Sequence, residues 1–152
     1  MKLGKIFKKL IIESEINDIT WYHGTTKEFT KFDINFFGET DSGWWGYGIY
    51  FHTDKDRGGY GNIIKTVKLN FNNPIILPTS YSGRFLYNLI GNEAGLSGNF
   101  VDESAMNIIK EIGNKRFTSL ALNMGYDGMV IQYSQGTKEA VVFDDSIINI
   151  IA

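Results

Sequence analysis

The chain has 152 residues, with 15 Lys and Arg against 17 Asp and Glu, giving a formal charge of −2. It carries no cysteine and two histidines, His23 and His52, which excludes disulfide scaffolds, thiol nucleophiles, Cys-ligated metals and a three-histidine metal centre. The length fits one domain, the near-balanced charge argues against a globally basic nucleic-acid binder, and no apolar run reaches the roughly 20 residues of a membrane span.

Residues 2–13, KLGKIFKKLIIE, set Leu3, Ile6, Phe7, Leu10 and Ile11 at helical spacing among four lysines. This predicts a short basic amphipathic helix over 1–14, laid on the domain or directed at a membrane surface or partner. The apolar stretch is too short for a secretory signal. Residues 15–152 show no linker and read as a single domain. ITWYHG at 19–24 predicts a buried strand ending at glycine. Residues 25–46 lack a stable period and read as a long loop or short helix over a pocket. A second strand is expected over 46–53, a Gly-rich turn over 54–61 and an alternating strand over 63–71. Asn72-Asn73-Pro74 then turns into a short strand at Ile75–Leu77.

The middle reads as helical. Phe85, Leu86, Leu89 and Ile90 share one side of a helix over 81–91. Asp102 is the expected N-cap of the next helix and Gly113 its end. Lys115–Met124 forms a further helix, stopped by Gly125. Strands follow at 127–132, 138–144 and 146–151, joined by a loop at 133–137 and a turn at Asp144-Asp145. Strands, then helices, then strands predict an α+β fold with mostly antiparallel pairing. Gly46-Tyr47-Gly48 neither follows a strand nor opens a helix, so it is a poor dinucleotide fingerprint.

Twelve of the 22 aromatic residues and eight of the 17 glycines fall between residues 21 and 61. Rings beside residues that lack a Cβ suit a flat ligand, or else a small β-rich core with turns. Three segments bear on that choice: Tyr22-His23-Gly24-Thr25, then Gly48-Ile49-Tyr50-Phe51 with Tyr60 ten residues after Tyr50, then Lys138-Glu139-Ala140-Val141-Val142-Phe143-Asp144. In this order, and with Tyr126-Asp127-Gly128, they resemble the ADP-ribosyltransferase fold in its His–Tyr–Glu clade of diphtheria-toxin-like and poly-ADP-ribose-polymerase-like enzymes. The matching segments span residues 21–151.

The resemblance implies a split antiparallel sheet with helices inserted between the N- and C-terminal strands. It implies NAD as co-substrate, no metal, and transfer of ADP-ribose to a macromolecule, in the first place a host protein. His23 would hydrogen-bond a ribose hydroxyl, with Thr25 closing the same strand end, and the Gly24 backbone would pair with the nicotinamide carboxamide. Tyr50 and Tyr60, with Tyr47 as the alternative to Tyr60, would sandwich the nicotinamide ring, a contact worth ~0.5–1.5 kcal/mol per aromatic pair. Glu139 would stabilise the oxocarbenium-like ribose as the glycosidic bond breaks. Arg57 would meet a phosphate or stay solvated. Trp44 and Trp45 would close over the donor or pack inside. His52 would line the site beside Tyr50 or face solvent.

Thr137 departs from the acidic or amide residue that arginine-modifying relatives carry two positions before the glutamate, which weakens the case for arginine as acceptor. The short chain favours single-unit transfer over polymer synthesis. An NAD glycohydrolase and a non-catalytic relic that binds NAD or protein are the alternatives. Ile11-Ile12-Glu13 resembles the site that prohead proteases cut in internal proteins of tailed phages, which would make the protein a phage effector packaged in a virion. The remaining expectations are a monomer, a cytoplasmic location, and no stable nucleic-acid or membrane partner.

Overall fold

Seven strands build the domain in this computed structural model, which describes residues 15–35, 44–56, 61–97 and 104–152. They are β1 (Trp21–Thr25), β2 (Ile49–His52), β3 (Ile63–Leu69), β4 (Pro74–Leu77), β5 (Gly128–Gln132), β6 (Lys138–Val142) and β7 (Ile148–Ile150). Their order across the sheet is β4-β5-β6-β2-β1-β3-β7. Every neighbouring pair is antiparallel except β4 and β5, which run parallel. A parallel pair needs a long crossover, and the helices between β4 and β5 supply it: α1 (Gly83–Leu86) running into a wider π-helical turn (Tyr87–Gly91), α2 (Ala105–Ile112) and α3 (Asn114–Asn123). The strands-helices-strands order is thus realised as an α+β fold.

Alternation along the strands sends side chains to two cores. Tyr50, Val141, Met129, Ile131, Ile75 and Leu77 join Ile108, Ile109, Phe117 and Ala121 of the helices on one face. Trp21, Ile49, Phe51, Val67, Val130, Ala140 and Val142 join Ile16, Phe32 and Ile147 on the other. Each fully buried large apolar side chain contributes about 1.5–3 kcal/mol. The β4-β5-β6-β2 part of the sheet is therefore covered on both faces, which suits the near-continuous apolar runs of β5 and β6, while β1, β3 and β7 contribute to the second core alone.

Several local expectations are refined. The N-cap of α2 is Ser104, whose hydroxyl accepts from the Met106 N–H at 3.2 Å; Asp102 lies outside the described residues. Gly113 ends α2 at φ 98°, a left-handed conformation that favours glycine. On the 83–91 helix, Leu86 and Ile90 are buried and Leu89 half-buried, but Phe85 is exposed. Residues 86 and 90 are four apart and so share the inner side; position 85 sits at the edge of that stripe. The last strand is shorter than 146–151, because Asp145–Ile147 forms a 3₁₀ turn before it. The expected N-terminal helix over 1–14 falls outside the described residues. No helix among the described residues is long and apolar enough to cross a membrane.

Candidate active site

The sheet loosens between β1 and β2. β1 is registered against β3 along its whole length, from Trp21 opposite Val67 to Thr25 opposite Ile63. Against β2 it shares the single pair Tyr22–His52. A regular ladder would next set Gly24 against Tyr50. Instead, the His23 imidazole takes the Tyr50 carbonyl, with Nδ1 at 2.7 Å from the oxygen. A carbonyl only accepts, so Nδ1 carries the hydrogen, and in the neutral ring Nε2 is then an acceptor. A side chain thus completes a bond that backbone would otherwise make, at the place where the sheet divides into β4-β5-β6-β2 and β1-β3-β7.

His23 is held by packing. It is only 7% exposed. Its ring meets Phe32 edge-on at 5.2 Å between centroids and Phe51 at 5.5 Å. Phe32 in turn meets Phe29 at 4.7 Å. Lys65, opposite His23 on β3, is buried along its stem; its ammonium pairs with Glu28 and lies 5.2 Å from the Phe29 ring centre. The hydrogen bond from Lys65 holds the Glu28 carboxyl below the usual carboxylate range. Residues 26–33 therefore form a loop, as expected, that lays Phe29 and Phe32 as an aromatic strap over His23. Thr25 closes β1: its hydroxyl accepts from the Lys27 N–H at 3.2 Å.

Tyr50 and Glu139 occupy the other face of the sheet. β2 pairs with β6 so that Tyr50 faces Val141 and His52 faces Glu139. Tyr50 and Glu139 are therefore diagonal neighbours on one face, with backbones about 7–8 Å apart. The Tyr50 hydroxyl donates to the Gly46 carbonyl at 2.5 Å and accepts from the Trp45 N–H at 3.0 Å. These two bonds fix the ring against the turn before β2. The side chains of His23 and of the Tyr50–Glu139 pair point to opposite faces; what joins them is the Tyr50 backbone, whose carbonyl holds one while its side chain stands beside the other.

Glu139 is held by one hydrogen bond and one close ion-pair contact. Tyr133, at the end of β5, donates its hydroxyl to Oε1 at 2.8 Å. His52 Nε2 lies 3.2 Å from Oε2. The Glu139 side chain is 13% exposed and that of His52 28%. The carboxylate is thus partly desolvated but reachable, at the rim of a rigid strand pair. Tyr133 escaped sequence reasoning because its contact depends on the β5–β6 register, which sets Ile131 opposite Glu139 and brings the hairpin back over it. His52 was readable in part. It faces the site rather than solvent, because alternation gives Tyr50 and His52 the same side of β2.

The other expected residues divide. Trp45 is 2% exposed and belongs to the helical core, whereas Trp44 is 74% exposed. Tyr47 sits over the helical side, its carbonyl accepting from Thr118 and its ring 5.4 Å from the Lys115 ammonium. Tyr60 and Arg57 lie outside the described residues. A Cβ on Gly48 would stand 2.6 Å from both Val141 Cγ2 and the Val142 carbonyl oxygen. That glycine therefore lets β2 approach β6 and is not an opening for a ligand. The Asp127 carboxylate of the Tyr-Asp-Gly segment accepts from the Asn72 N–H at 2.7 Å and so pins the β3–β4 turn. Among the described residues no group of His, Asp or Glu is placed to hold a metal ion.

Residues 17–151 match a family described as ADP-ribosyltransferase in polyvalent proteins. The chain belongs to that family. The match spans all seven strands, and the expected fold is the one observed. Among solved structures, one titled "Crystal structure of an anti-CRISPR protein" aligns at 14% identity and a TM-score of 0.43, covering 89% of this chain and 98% of that one. No curated protein matches the chain. Family membership supports ADP-ribosyltransferase chemistry in general terms and gives NAD as the group's substrate.

Proposed function

We propose that this domain cleaves NAD and transfers a single ADP-ribose unit to a macromolecule, with a protein as the acceptor. The observation that carries this reading is Glu139, a partly buried carboxylate that accepts from Tyr133 and lies 3.2 Å from His52 Nε2, beside Tyr50 and the split in the sheet. When the bond between nicotinamide nitrogen and ribose C1′ breaks, the electron pair leaves with neutral nicotinamide and the sugar becomes cationic. A fixed anion stabilises that charge more in the transition state than in the ground state. The acceptor's lone pair then bonds to C1′ while its proton passes to the Glu139 carboxylate and from there to water.

In this reading Tyr50 stacks on the nicotinamide ring, with Tyr60 as its counterpart. The Gly24 backbone, paired with β3 but not with β2 at the split, pairs with the carboxamide on its β2 side. His23, with Nδ1 engaged on the Tyr50 carbonyl, and Thr25 hold the end of β1 beside the donor's ribose from the other face of the sheet. The absence of cysteine from the sequence fits work in a reducing compartment.

The test uses labelled NAD with and without a bacterial lysate, comparing wild type with Glu139→Ala. Label on a lysate protein, lost in the variant, supports transfer. Free ADP-ribose without a labelled protein points to the glycohydrolase alternative. NAD binding with equal inertness of both proteins identifies a relic and ends the enzymatic reading.

A further inference from the structure

We propose that His52 and Tyr133 are positioning residues for Glu139: a two-point clamp that fixes the orientation of the carboxylate from β2 on one side and the β5–β6 hairpin on the other. The inference rests on the NAD-cleaving reading and adds to it two residues that reading does not require.

The geometry is specific. Tyr133 donates to one carboxylate oxygen at 2.8 Å, and His52 Nε2 stands 3.2 Å from the other. The His52 contact is one of ion-pair proximity, and the clamp requires an Nε2–H turned onto that oxygen. Each oxygen has a second lone-pair direction, so the clamp leaves capacity for a ribose hydroxyl. The two donors come from opposite sides of β6. His52 is set by the β2–β6 register that places it opposite Glu139. Tyr133 is set by the hairpin, where the Tyr133 N–H donates to the Thr137 carbonyl at 3.0 Å and the Gly136 N–H to the Tyr133 carbonyl at 3.0 Å.

A glutamate has three rotatable side-chain bonds, and an unanchored one would sample several orientations about the reacting carbon. Two donors select one orientation before substrate arrives, and such preorganisation gives a charged group its catalytic value. Hydrogen bonds to charged groups are stronger than neutral ones, so each half of the clamp carries weight. Tyr22, opposite His52 on β1, and Lys138, beside Glu139 on β6, are the other titratable residues set next to this pair by register.

The test is the rate of nicotinamide release from NAD by the whole protein, comparing wild type with His52→Ala, His52→Gln, Tyr133→Phe and Glu139→Gln. Glutamine can present an amide N–H near the position of the imidazole Nε2. The clamp predicts that His52→Ala and Tyr133→Phe each lower kcat about tenfold to a hundredfold with KM nearly unchanged, and that His52→Gln recovers most of the loss. Melting temperatures of the four variants should stay close to wild type. Unchanged kcat in His52→Ala and Tyr133→Phe overturns the clamp, as does His52→Gln being as slow as His52→Ala, which would make the second ring nitrogen the one that matters. A Glu139→Gln variant as active as wild type overturns the underlying NAD-cleaving reading instead. The two failures are therefore distinguishable.

Discussion

The two halves of the sheet hold their polar residues in opposite ways. On the β1-β3-β7 side, His23 is immobilised by rings: Phe32 and Phe51 pack on it, and one hydrogen bond to the Tyr50 carbonyl sets its tautomer. On the β4-β5-β6-β2 side, Glu139 is held by polar partners, with the Tyr133 hydroxyl donating to one oxygen and His52 in ion-pair contact with the other. An imidazole tolerates burial among aromatics because it can be neutral and needs one partner. A carboxylate does not, because a charge withdrawn from water must be hydrogen-bonded. The difference teaches that changes at His23 should register first in the fold, and changes at Glu139 first in the chemistry.

The largest expected effect tests the second half of that contrast. Glu139→Gln keeps the shape and an acceptor oxygen but removes the charge, and nicotinamide release should fall about 10²–10³-fold. Thermal unfolding should move little, and a large drop in Tm would show that the carboxylate carries the fold after all. His23→Ala tests the first half. It opens a cavity between Phe32 and Phe51 and leaves the Tyr50 carbonyl without its ring donor. A stability loss of about 2–4 kcal/mol is expected by chemical denaturation. A variant of unchanged stability would mean that the aromatic strap does not depend on the ring.

Smaller effects sharpen the boundary between the halves. Gly48→Ala forces a methyl against Val141 and the Val142 carbonyl, with an expected cost of about 1–3 kcal/mol as β2 is pushed from β6. Nicotinamide release should fall with it, because the same register seats Glu139. Tyr50→Phe removes the hydroxyl that joins Trp45 to Gly46, at a cost of about 1–2 kcal/mol, while keeping the stacking ring. NAD affinity by calorimetry should therefore survive this change better than Tyr50→Ala.

The smallest effect is at the strap. The Glu28 pKa is lowered in the folded protein by the Lys65 hydrogen bond. Its contribution is therefore present above the unfolded-state carboxyl pKa and lost as pH falls through the folded value. Glu28→Gln should lower stability slightly at neutral pH, with the difference from wild type vanishing in acid and in high salt. A difference that grew on acidification would contradict the assignment.

Much of this was legible in the chain itself. Alternation and β-branched runs located all seven strands. The segments around His23, Tyr50 and Glu139 carried the family resemblance that the match over 17–151 bears out. The aromatic surplus was harder to read. Trp21, Phe32, Trp45 and Phe51 are buried in the two cores, and Tyr50 packs half-buried against the helical one beside Glu139. Composition cannot make that division, because a ring in a core and a ring beside a ligand look alike until the face of the strand is known.

Local spacing and turn chemistry thus determined the elements and the α+β order, since these depend on neighbours within a few positions, and three short motifs carried the family resemblance. Tertiary structure alone decided the single registered pair between β1 and β2, the parallel β4–β5 pair, the strap over His23 and the partners of Glu139. Each depends on strand register. A shift of one residue turns a side chain to the other face, and register is set by what distant segments bury against one another.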